Sequence, residues 1–386
     1  MNIRNLFPVA AIAMASLISC SKGHNPAPGT GDGGDGGGGS KFHVTITTLA
    51  GKLDDKGNAE DGNGANARFW NPTKMVFDSR NNTLYIADGS VVRSMDAQNN
   101  VRTYVPLNAI GNSFVDILDM DVAPGTGGTL YVTTDDNDLW KIEPSGSGSH
   151  ATLLAGNEYG GNDVGDLHTG DHFNLATGVA TGSNGDIYFL NQTYNTVHRI
   201  TLSSPTDGTV TSFAGKPYFL DAPGQPYAFA DGKGENATFS GGDNDMAADN
   251  NGNLYVADRD NEEVRKITPD GTVTSLFKYM EGLGVDQDGP VSTAHSNSVT
   301  QVASTPDGSM IFFASYGNRS YNSSSLRVVR PGNDVTTLAT AGLNYGDGEG
   351  SKAGIGGIGG MATSPDGKVV YFSEPGRKVI RKVVLQ

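Results

Sequence analysis

Short apolar segments separated by glycine-rich turns recur along most of the chain. Many of the segments are centred on an aromatic residue, as in Leu84–Asp88 (LYIAD) and Leu254–Asp258 (LYVAD). The connecting residues are mainly Asn, Asp and Gly, which favour tight turns. Short apolar runs bounded by such turns are typical of β-strands joined as hairpins. The pattern therefore predicts an all-β protein made of antiparallel strands.

One unit occurs six times between residues 42 and 386. The clearest copy is Met246–Leu276, MAADNNGNLYVADRDNEEVRKITPDGTVTSL. Each copy has an apolar strand, a strand centred on an aromatic, a third strand with Arg or Lys, and a fourth strand rich in Val and Thr. Four antiparallel strands per unit, with about 57 residues between units, predict the blades of a six-bladed β-propeller.

The sixth unit ends after its third strand, Val379–Leu385. The missing fourth strand is present at the other end of the repeats, as Val44–Leu49 (VTITTL), and it is followed by Ala-Gly as other fourth strands are. We therefore expect the N-terminal strand to complete the last blade and close the ring, which leaves no long unpaired sheet edge. A blade cannot bury its faces alone, so residues 42–386 are predicted to fold as one domain.

Residues 1–19 have the features of a secretory signal, with Arg4 before an apolar run that is too short to span a bilayer. The run ends in Leu-Ile-Ser-Cys, and this sequence resembles a bacterial lipobox, which implies cleavage before Cys20 and acylation of that residue. Residues 20–41 are then the acylated cysteine and a flexible Gly-rich tether. Ser21 is not the Asp that favours inner-membrane retention, so we expect an anchor in the outer membrane, facing either the periplasm or the cell surface.

The formal net charge of −15 also limits the possible partners. An acidic surface repels a phosphate backbone, so nucleic acid is not expected as a ligand. Cys20 is the only cysteine, which excludes a disulfide within the chain.

The repeats resemble a known family in AGKLDDKGNAEDGNGANARFWNPTKMVFDSRNNTLYIADG and in FADGKGENATFSGGDNDMAADNNGNLYVADRDNEEVRKITPDGTVTSL. Both look like NHL repeats, and the resemblance is weaker in the second and fifth units, which lack the YVAD element. The family implies a six-bladed, TolB-like propeller, and it includes both enzymes and binding modules. The fold alone therefore does not assign a function.

The connections from each fourth strand to the next first strand are long, as in residues 51–73 and 215–244, whereas the other turns are tight. In a propeller these connectors share one face with the second-to-third loops, so binding residues are expected there, around the channel mouth. Aligned by their landmarks, the connectors bring Arg68, His172 and His295 to one position. We expect these three side chains to converge at the mouth.

Aromatic residues in the connectors and in one insertion suit a glycan, because aromatic faces stack on sugar rings. The candidates for ligand contact are Trp70, Tyr218, Tyr227, Tyr316, Arg319 and Tyr321. A metal is a weaker alternative. Neutral His with Asp could bind Zn²⁺ or Ca²⁺, but no recognised ligand motif is present. The candidate metal ligands are His168, Asp171, His172 and His295.

The residue three positions after each central aromatic should end the second strand on the mouth side. This set comprises Asp88, Thr134, Asn191, Asp258, Tyr316 and Glu374. Carboxylates here could act as a general base or bind Ca²⁺. The NHL resemblance implies instead that they hold the loop, or pair with Arg93, Arg265 or Arg381 of the next strand, and we favour this structural role.

Three functions are compatible with these observations. The first is a non-catalytic protein that binds a glycan, a glycopeptide or another small molecule at the mouth, similar to accessory nutrient-capture lipoproteins of Gram-negative bacteria such as Bacteroidetes. The second is a metal-dependent hydrolase, lactonase or lyase with its site in the channel, as in some six-bladed relatives. The third is a scaffold that docks an envelope protein. We favour the first and assign no catalytic residue.

Overall fold

The computed structural model describes residues 43–53, 57–105, 115–145, 148–156, 160–170, 172–217, 230–240, 242, 245–277, 286–316, 324–341 and 345–386. They form six antiparallel sheets that follow one another as the blades of a β-propeller. Innermost strands of successive blades pack side by side, and the last packs against the first, so the ring is closed. The predicted six-bladed fold is confirmed.

The strands begin with β1 (Val44–Gly51), which belongs to the sixth blade. Blade one contains β2 (Gly62–Asn63), β3 (Pro72–Asp78), β4 (Thr83–Asp88), β5 (Val91–Met95) and β6 (Asn100–Val105). Blade two contains β7 (Ile117–Val122), β8 (Leu130–Thr134), β9 (Asp138–Ser145) and β10 (Gly148–Gly156). Blade three contains β11 (Gly165–Asp166), β12 (Ala176–Thr181), β13 (Ile187–Asn191), β14 (Thr196–Leu202) and β15 (Gly208–Ala214).

Blade four contains β16 (Gly232–Lys233), β17 (Asp245–Ala248), β18 (Leu254–Asp258), β19 (Glu263–Ile267) and β20 (Thr272–Ser275). Blade five contains β21 (Gly289–Pro290), β22 (Val299–Ser304), β23 (Ile311–Tyr316), β24 (Ser324–Arg330) and β25 (Asp334–Thr340). Blade six contains β26 (Gly348–Glu349), β27 (Gly360–Thr363), β28 (Val369–Glu374) and β29 (Val379–Leu385), together with β1.

The described helices are single 3-10 turns, at Gly64–Asn66, Gln192–Tyr194, Gly234–Asn236, Arg259–Asn261, Gly350–Lys352 and Pro375–Arg377. Within the described part of the chain, no helix has the length and apolar character needed to cross a bilayer.

The ring closes as the repeat pattern predicts. β1 pairs antiparallel with β29, from Val44 opposite Leu385 to Gly51 opposite Val379. The backbone of His43 and Gln386 extends this pairing by two further hydrogen bonds. Ile46 of β1 is fully buried in the apolar cluster shared by the first and last blades. The N-terminal strand is therefore part of the core.

Apolar side chains fill the spaces between blades because each sheet must bury both of its faces. Successive residues of a strand point to opposite faces, and each face meets the neighbouring blade. Phe189 of blade three packs in the cluster it shares with blade two, and Tyr188, the residue before it, packs in the cluster shared with blade four. Apolar clusters of this kind therefore join neighbouring blades.

Candidate functional site

The connectors cross one face of the ring, from the outer edge of a blade to its innermost strand. In five blades the connector first adds a two-residue strand outside the fourth strand of the same blade. It then leads to the innermost strand, where it meets the second-to-third loop: Gly89 donates its N–H to Asn71 O at 3.1 Å, and Gln192 donates to Leu175 O at 3.1 Å. Connectors and second-to-third loops therefore share one face, which we call the connector face.

The alignment of the connectors is reproduced by backbone bridges. Equivalent pairs form in four blades: Glu60 with Arg68, Ala230 with Thr238, Gln287 with His295, and Gly346 with Gly354. Arg68, Thr238, His295 and Gly354 thus occupy the same place in their blades, as their spacing predicts. This place lies between the outer strand and the innermost strand.

In each of the four blades, a buried arginine on the third strand binds the backbone of the connector residue at this position. Arg265 donates from Nη1 to Thr238 O at 3.0 Å and to Asp258 Oδ2 at 3.0 Å, and from Nη2 to Asp231 Oδ1 at 2.9 Å. Its guanidinium also lies 5.5 Å from the ring centre of Phe239. The arginines with this arrangement are Arg93, Arg265, Arg327 and Arg381.

The position of Arg68 and His295 is therefore above the third strand of their own blades. Arg327 donates to His295 O at 2.7 Å, and Arg93 donates to Arg68 O at 3.3 Å. The Arg68 side chain pairs with Glu60 at 3.1 Å at the surface. No described contact joins Arg68, His172 and His295 to one another.

The carboxylates that end the second strands have the structural role favoured from the sequence. Asp88 accepts from the backbone N–H groups of Trp70 and Asn71 at 2.8 and 2.7 Å, and pairs with Arg93 at 3.2 Å. Glu374 likewise accepts from Gly356 N and pairs with Arg381 at 2.9 Å. These carboxylates hold connector, second strand and third strand together.

In blade five the sequence alignment is wrong by one residue. Arg327 pairs in register with Phe313, so the residue equivalent to Asp88 is Ser315 rather than Tyr316. Ser315 Oγ donates to Asp286 Oδ2 at 2.8 Å, and Asp286 supplies the carboxylate near Arg327. Phe312 and Phe313 are adjacent aromatics, and Phe312 is the residue equivalent to Tyr85 of blade one.

Blade three replaces the arginine pair with neutral groups. His198 occupies the arginine position and Asn191 the carboxylate position. Asn191 Nδ2 donates to Gly161 O at 2.7 Å and to His172 O at 3.2 Å, which are the connector bonds an arginine makes elsewhere. Burial lowers the pKa of His198 to about 4, and the nearby His172 acts in the same direction. His198 is therefore neutral at physiological pH.

The candidate metal ligands lie apart within the described residues. His172 is buried, and its ring nitrogens lie 2.9 and 2.8 Å from the carbonyl oxygens of Asp163 and Asp166. His168 Nε2 lies 3.2 Å from Asp207 Oδ1 at the surface, and His295 is buried in blade five. No three His, Cys, Asp or Glu side chains in the described part of the chain form a ligand group. Asp171 lies outside the described residues.

Several nominated residues also lie outside the described part of the chain, namely Cys20, Tyr218, Tyr227, Arg319 and Tyr321. Tyr316 is partly buried, and its N–H donates to Asn297 O at 3.1 Å. Trp70 lies on the connector face with 58% of its surface exposed.

A second exposed aromatic on this face, Tyr345, was not predicted. It is 44% exposed, and the guanidinium of Arg377 lies 3.6 Å from its ring centre. The next residue, Lys378, places its Nζ 5.1 Å from the ring centre of Trp70. We call these four residues, Trp70, Tyr345, Arg377 and Lys378, the aromatic–cation patch. An aromatic directly before the Gly-Asp-Gly of its connector was the available signal for Tyr345.

The central channel contains a polar layer formed by equivalent residues of the innermost strands. The layer comprises Lys74, Asp119, Gly178, Asp245, Gln301 and Gly360. Lys74 Nζ donates to the Asp245 carboxylate of the fourth blade and to Gln301 Oε1 at 3.2 Å. A Cβ on Gly360 would lie 2.4 Å from Thr73 O, so only glycine allows β27 of the last blade and β3 of the first blade to approach this closely. Lys74 thus bridges opposite sides of the channel.

A cavity of about 380 Å³ lies between this layer and the face of the tight hairpins. The innermost-strand residues next to the polar layer have mainly small side chains, including Ala247, Ala303 and Ala362. These side chains leave the cavity open. Arg80 and Asn250 of the hairpins line its rim. The described cavity therefore opens on the face opposite to the predicted mouth.

The carboxylates of the cavity bind the backbone of the next blade. Asp119 Oδ2 accepts from Val179 N at 2.7 Å, and Asp121 Oδ2 accepts from the N–H and hydroxyl of Thr181 at 2.7 and 2.9 Å. Burial raises the pKa of Asp119 well above its usual value, and the neighbouring Asp245 raises it further, whereas Lys74 lowers it. Burial also raises the pKa of Asp121 to about 6.

Solved structures with the same architecture include nutrient-binding proteins. An auxiliary nutrient binding protein from Bacteroides thetaiotaomicron VPI-5482 matches with a TM-score of 0.62 and 16% identity over 89% of this chain and 77% of that chain. A protein of the same description from Bacteroides ovatus ATCC 8483 matches with a TM-score of 0.61 and 16% identity over 90% of this chain and 78% of that chain.

Virginiamycin B lyase from Staphylococcus aureus also matches, with a TM-score of 0.51 and 13% identity over 90% of this chain and 100% of that chain. No protein-family model and no curated protein sequence matches the chain. At these identities the structural likeness shows the fold alone. This chain is a six-bladed β-propeller of the same architecture as binding proteins and a lyase.

Proposed function

We propose that this chain is a non-catalytic binding propeller that captures a glycan or glycopeptide on its connector face. The observation that carries the proposal is the pair of exposed rings, Trp70 and Tyr345, beside one loop of the sixth blade. Aromatic faces stack against the apolar faces of sugar rings, and large aromatics lose little rotamer freedom when they bind. Trp70 and Tyr345 are 58% and 44% exposed, so part of each ring is open to a ligand.

The rigid backbone beneath the rings supports the same function. The N–H of Trp70 donates to the buried Asp88 carboxylate at 2.8 Å, and the bridge between Gly346 and Gly354 holds the start of the sixth connector directly after Tyr345. A site held in its bound geometry loses less entropy when the ligand arrives.

We further propose that the propeller is attached to the bacterial outer membrane by acylation of Cys20, with residues 21–41 as a flexible tether. The lipobox-like LISC sequence supports the anchor, and the composition of the following segment supports the tether. The shared fold with nutrient binding proteins of Bacteroides is compatible with this location.

Calorimetric titration of the purified full-length chain with a panel of neutral and acidic oligosaccharides tests the binding function. Trp70→Ala and Tyr345→Ala should each lower the affinity for any oligosaccharide found to bind by about tenfold, since stacking contributes about 1 kcal/mol or more. The matched control is Leu153→Ala, an exposed apolar residue on the outermost strand of blade two, which should leave affinity unchanged. The function is rejected if no glycan binds or if both ring variants bind as the unaltered chain does.

Metabolic labelling with radioactive palmitate, followed by membrane fractionation, tests the anchor. The unaltered chain should carry label and sediment with outer membranes. Cys20→Ala should remove the label and release the protein. An unlabelled wild-type chain would contradict this part of the proposal.

The channel cavity favours a second candidate function, a channel enzyme of the hydrolase, lactonase or lyase type. Its polar wall, with Lys74, Asp121 and Asp245, could contact a small substrate. Lactone and ester hydrolysis by the purified chain, with and without added Zn²⁺ or Ca²⁺, would reveal such an activity. Activity that is lost on Asp121→Asn, with binding at the patch unchanged, would favour this candidate.

A further inference from the structure

Arg377 and Lys378 are held in place by aromatic rings. The guanidinium of Arg377 lies over Tyr345 at 3.6 Å, and Lys378 Nζ lies near the ring of Trp70 at 5.1 Å. Consecutive Cα atoms are only about 3.8 Å apart, so the two cation–aromatic pairs adjoin on one loop. Both cation–aromatic pairs therefore lie at one loop of the connector face.

The backbone of this loop fixes the direction of both cations. Pro375–Arg377 forms a single 3-10 turn, and Lys378 ends it in the left-handed conformation with φ 59°. Its N–H donates to Pro375 O at 3.2 Å. On the inner side, Arg377 packs against Gly356, where a Cβ would lie 3.1 Å from Arg377 Nε. The arginine is thus confined between a backbone surface and an aromatic ring.

Both cations keep hydrogen-bonding capacity. Arg377 Nε lies 3.6 Å from Glu374 Oε2, and within the described residues no hydrogen bond engages its two terminal nitrogens. The same part of the chain provides no ion pair for Lys378 Nζ. A guanidinium presents its donors as a planar fork that matches a carboxylate or a sulfate, and an adjacent ammonium adds a second charge.

Three carboxylates lie near the patch, those of Glu374, Asp116 and Asp347, and Asp347 pairs with Arg381 at 3.2 Å. Glu374 is buried and bonded to Arg381 at 2.9 Å, so its charge is already compensated. The exposed Asp116 adjoins Gly89, as does the indole of Trp70. The whole chain carries a net charge of −15, but charges beyond about 8 Å are largely screened at physiological salt. A local pair of cations can therefore attract an anion that the rest of the surface repels.

We propose that the aromatic–cation patch recognises an anionic sugar unit, carboxylated or sulfated, within a glycan. The sugar ring stacks on Trp70 or Tyr345, and its acidic group binds Arg377 and Lys378. This inference rests on the proposed glycan-binding function and adds the ligand class. A neutral sugar would stack on the rings and would not use the charge of either cation.

Titration of the full-length chain with three matched probes tests the inference. The probes are an oligogalacturonate, its methyl ester, which has the same backbone without the charge, and a sulfated galactan oligosaccharide. We expect at least tenfold tighter binding of one or both anionic probes than of the ester. Preference for the oligogalacturonate identifies a carboxylate as the anionic group, and preference for the galactan identifies a sulfate.

Arg377→Gln and Lys378→Gln should each lower the affinity for the anionic probe about tenfold. The affinity for the methyl ester should change by less than about twofold. The matched control, Arg102→Gln, removes an exposed cation from β6, the fourth strand of blade one, and should have no effect. Arg377 and Lys378 are partly buried, so Tm is recorded for each variant to separate a loss of binding from a loss of folding.

Equal affinity for the acid and the ester, or unchanged affinity in both Gln variants, overturns the inference. In that case loss of binding in Trp70→Ala still supports glycan binding in general. If neither the anionic probes nor any neutral glycan binds, the proposed function itself is rejected. Failure of the inference and failure of the proposed function are therefore distinguishable.

Discussion

Lys74 in the first blade forms an ion pair with Asp245 in the fourth blade, on the opposite side of the channel. The Asp245 carboxylate also accepts from Val302 N of the fifth blade at 2.9 Å. The Lys74 amine therefore links three innermost strands, since it also donates to Gln301 of the fifth blade at 3.2 Å. This link has consequences for stability that are independent of any ligand.

Lys74→Met should destabilise the propeller by about 3 kcal/mol at pH 7, because it leaves buried carboxylates without their cation. Urea unfolding followed by circular dichroism measures the loss. The matched control is Lys233→Met, which breaks an ion pair with Asp270 that is more than half exposed on both sides, and it should cost less than about 1 kcal/mol. Equal effects of the two variants would contradict the bridging role of Lys74.

Asp121 predicts a pH dependence of stability. Its pKa is raised to about 6 in the folded chain, so the folded state holds a proton that the unfolded state has released. This contribution is fully present below about pH 4 and is lost as the pH rises through 6. The free energy of unfolding of the wild type minus that of Asp121→Asn should therefore fall by up to about 3 kcal/mol between pH 4 and pH 7.

The control for this measurement is Asp307→Asn. The hydrogen bond from the Thr305 hydroxyl lowers the pKa of Asp307 to about 2, and bonds from Ser309 add to the effect, so its titration lies below the tested range. The free energy of unfolding of the wild type minus that of Asp307→Asn should therefore stay nearly constant from pH 4 to pH 7. His198 acts in the opposite direction, since its lowered pKa favours the folded state at higher pH, but it cancels in both differences.

Arg265→Met should be among the most damaging single substitutions. The side chain is fully buried, and its removal leaves Asp258 as a buried carboxylate without a cation, together with two unsatisfied carbonyl groups. We expect a loss of about 3–5 kcal/mol in urea unfolding. Arg102→Met, an exposed control, should cost less than about 0.5 kcal/mol. A tolerated Arg265→Met would remove the structural role assigned to the second-strand carboxylates.

Ring closure can be tested at Ile46, which is fully buried in β1. Ile46→Ala should cost about 2–4 kcal/mol through the cavity it leaves, and the whole propeller should still unfold in one transition. Val164→Ala removes methyl groups from an exposed residue and should change stability little. An effect on β1 alone, with the other five blades unfolding as before, would show that the N-terminal strand is peripheral.

The fold could be predicted from the sequence because each blade repeats the same local signals. The strand patterns, the turn residues and the absence of a fourth strand after Val379–Leu385 all indicate the same closed ring. The roles of Asp88 and Arg93 were also predictable, since their spacing places them on adjacent strands of a hairpin.

The candidate site was less predictable, because equivalent positions in a repeat need not face the same opening. The connector position of Arg68 and His295 is indeed shared, but it is bonded to the buried arginine of each blade. The polar layer around Lys74 was missed because its six members belong to four residue types, so no motif marks them. Tyr345 was missed because its partners, Arg377 and Lys378, belong to a distant segment of the sequence.

Hydrogen–deuterium exchange on the full-length chain, with and without a saturating anionic oligosaccharide, tests the central claim most directly. We predict protection of the connector around residues 68–73 and of the loop at 375–378, which carry the aromatic–cation patch. The hairpins at 79–82 and 124–128, which border the channel cavity, should exchange at the same rate in both samples. Protection of those hairpins with no change around Trp70 and Arg377 would contradict the account and place the ligand in the cavity.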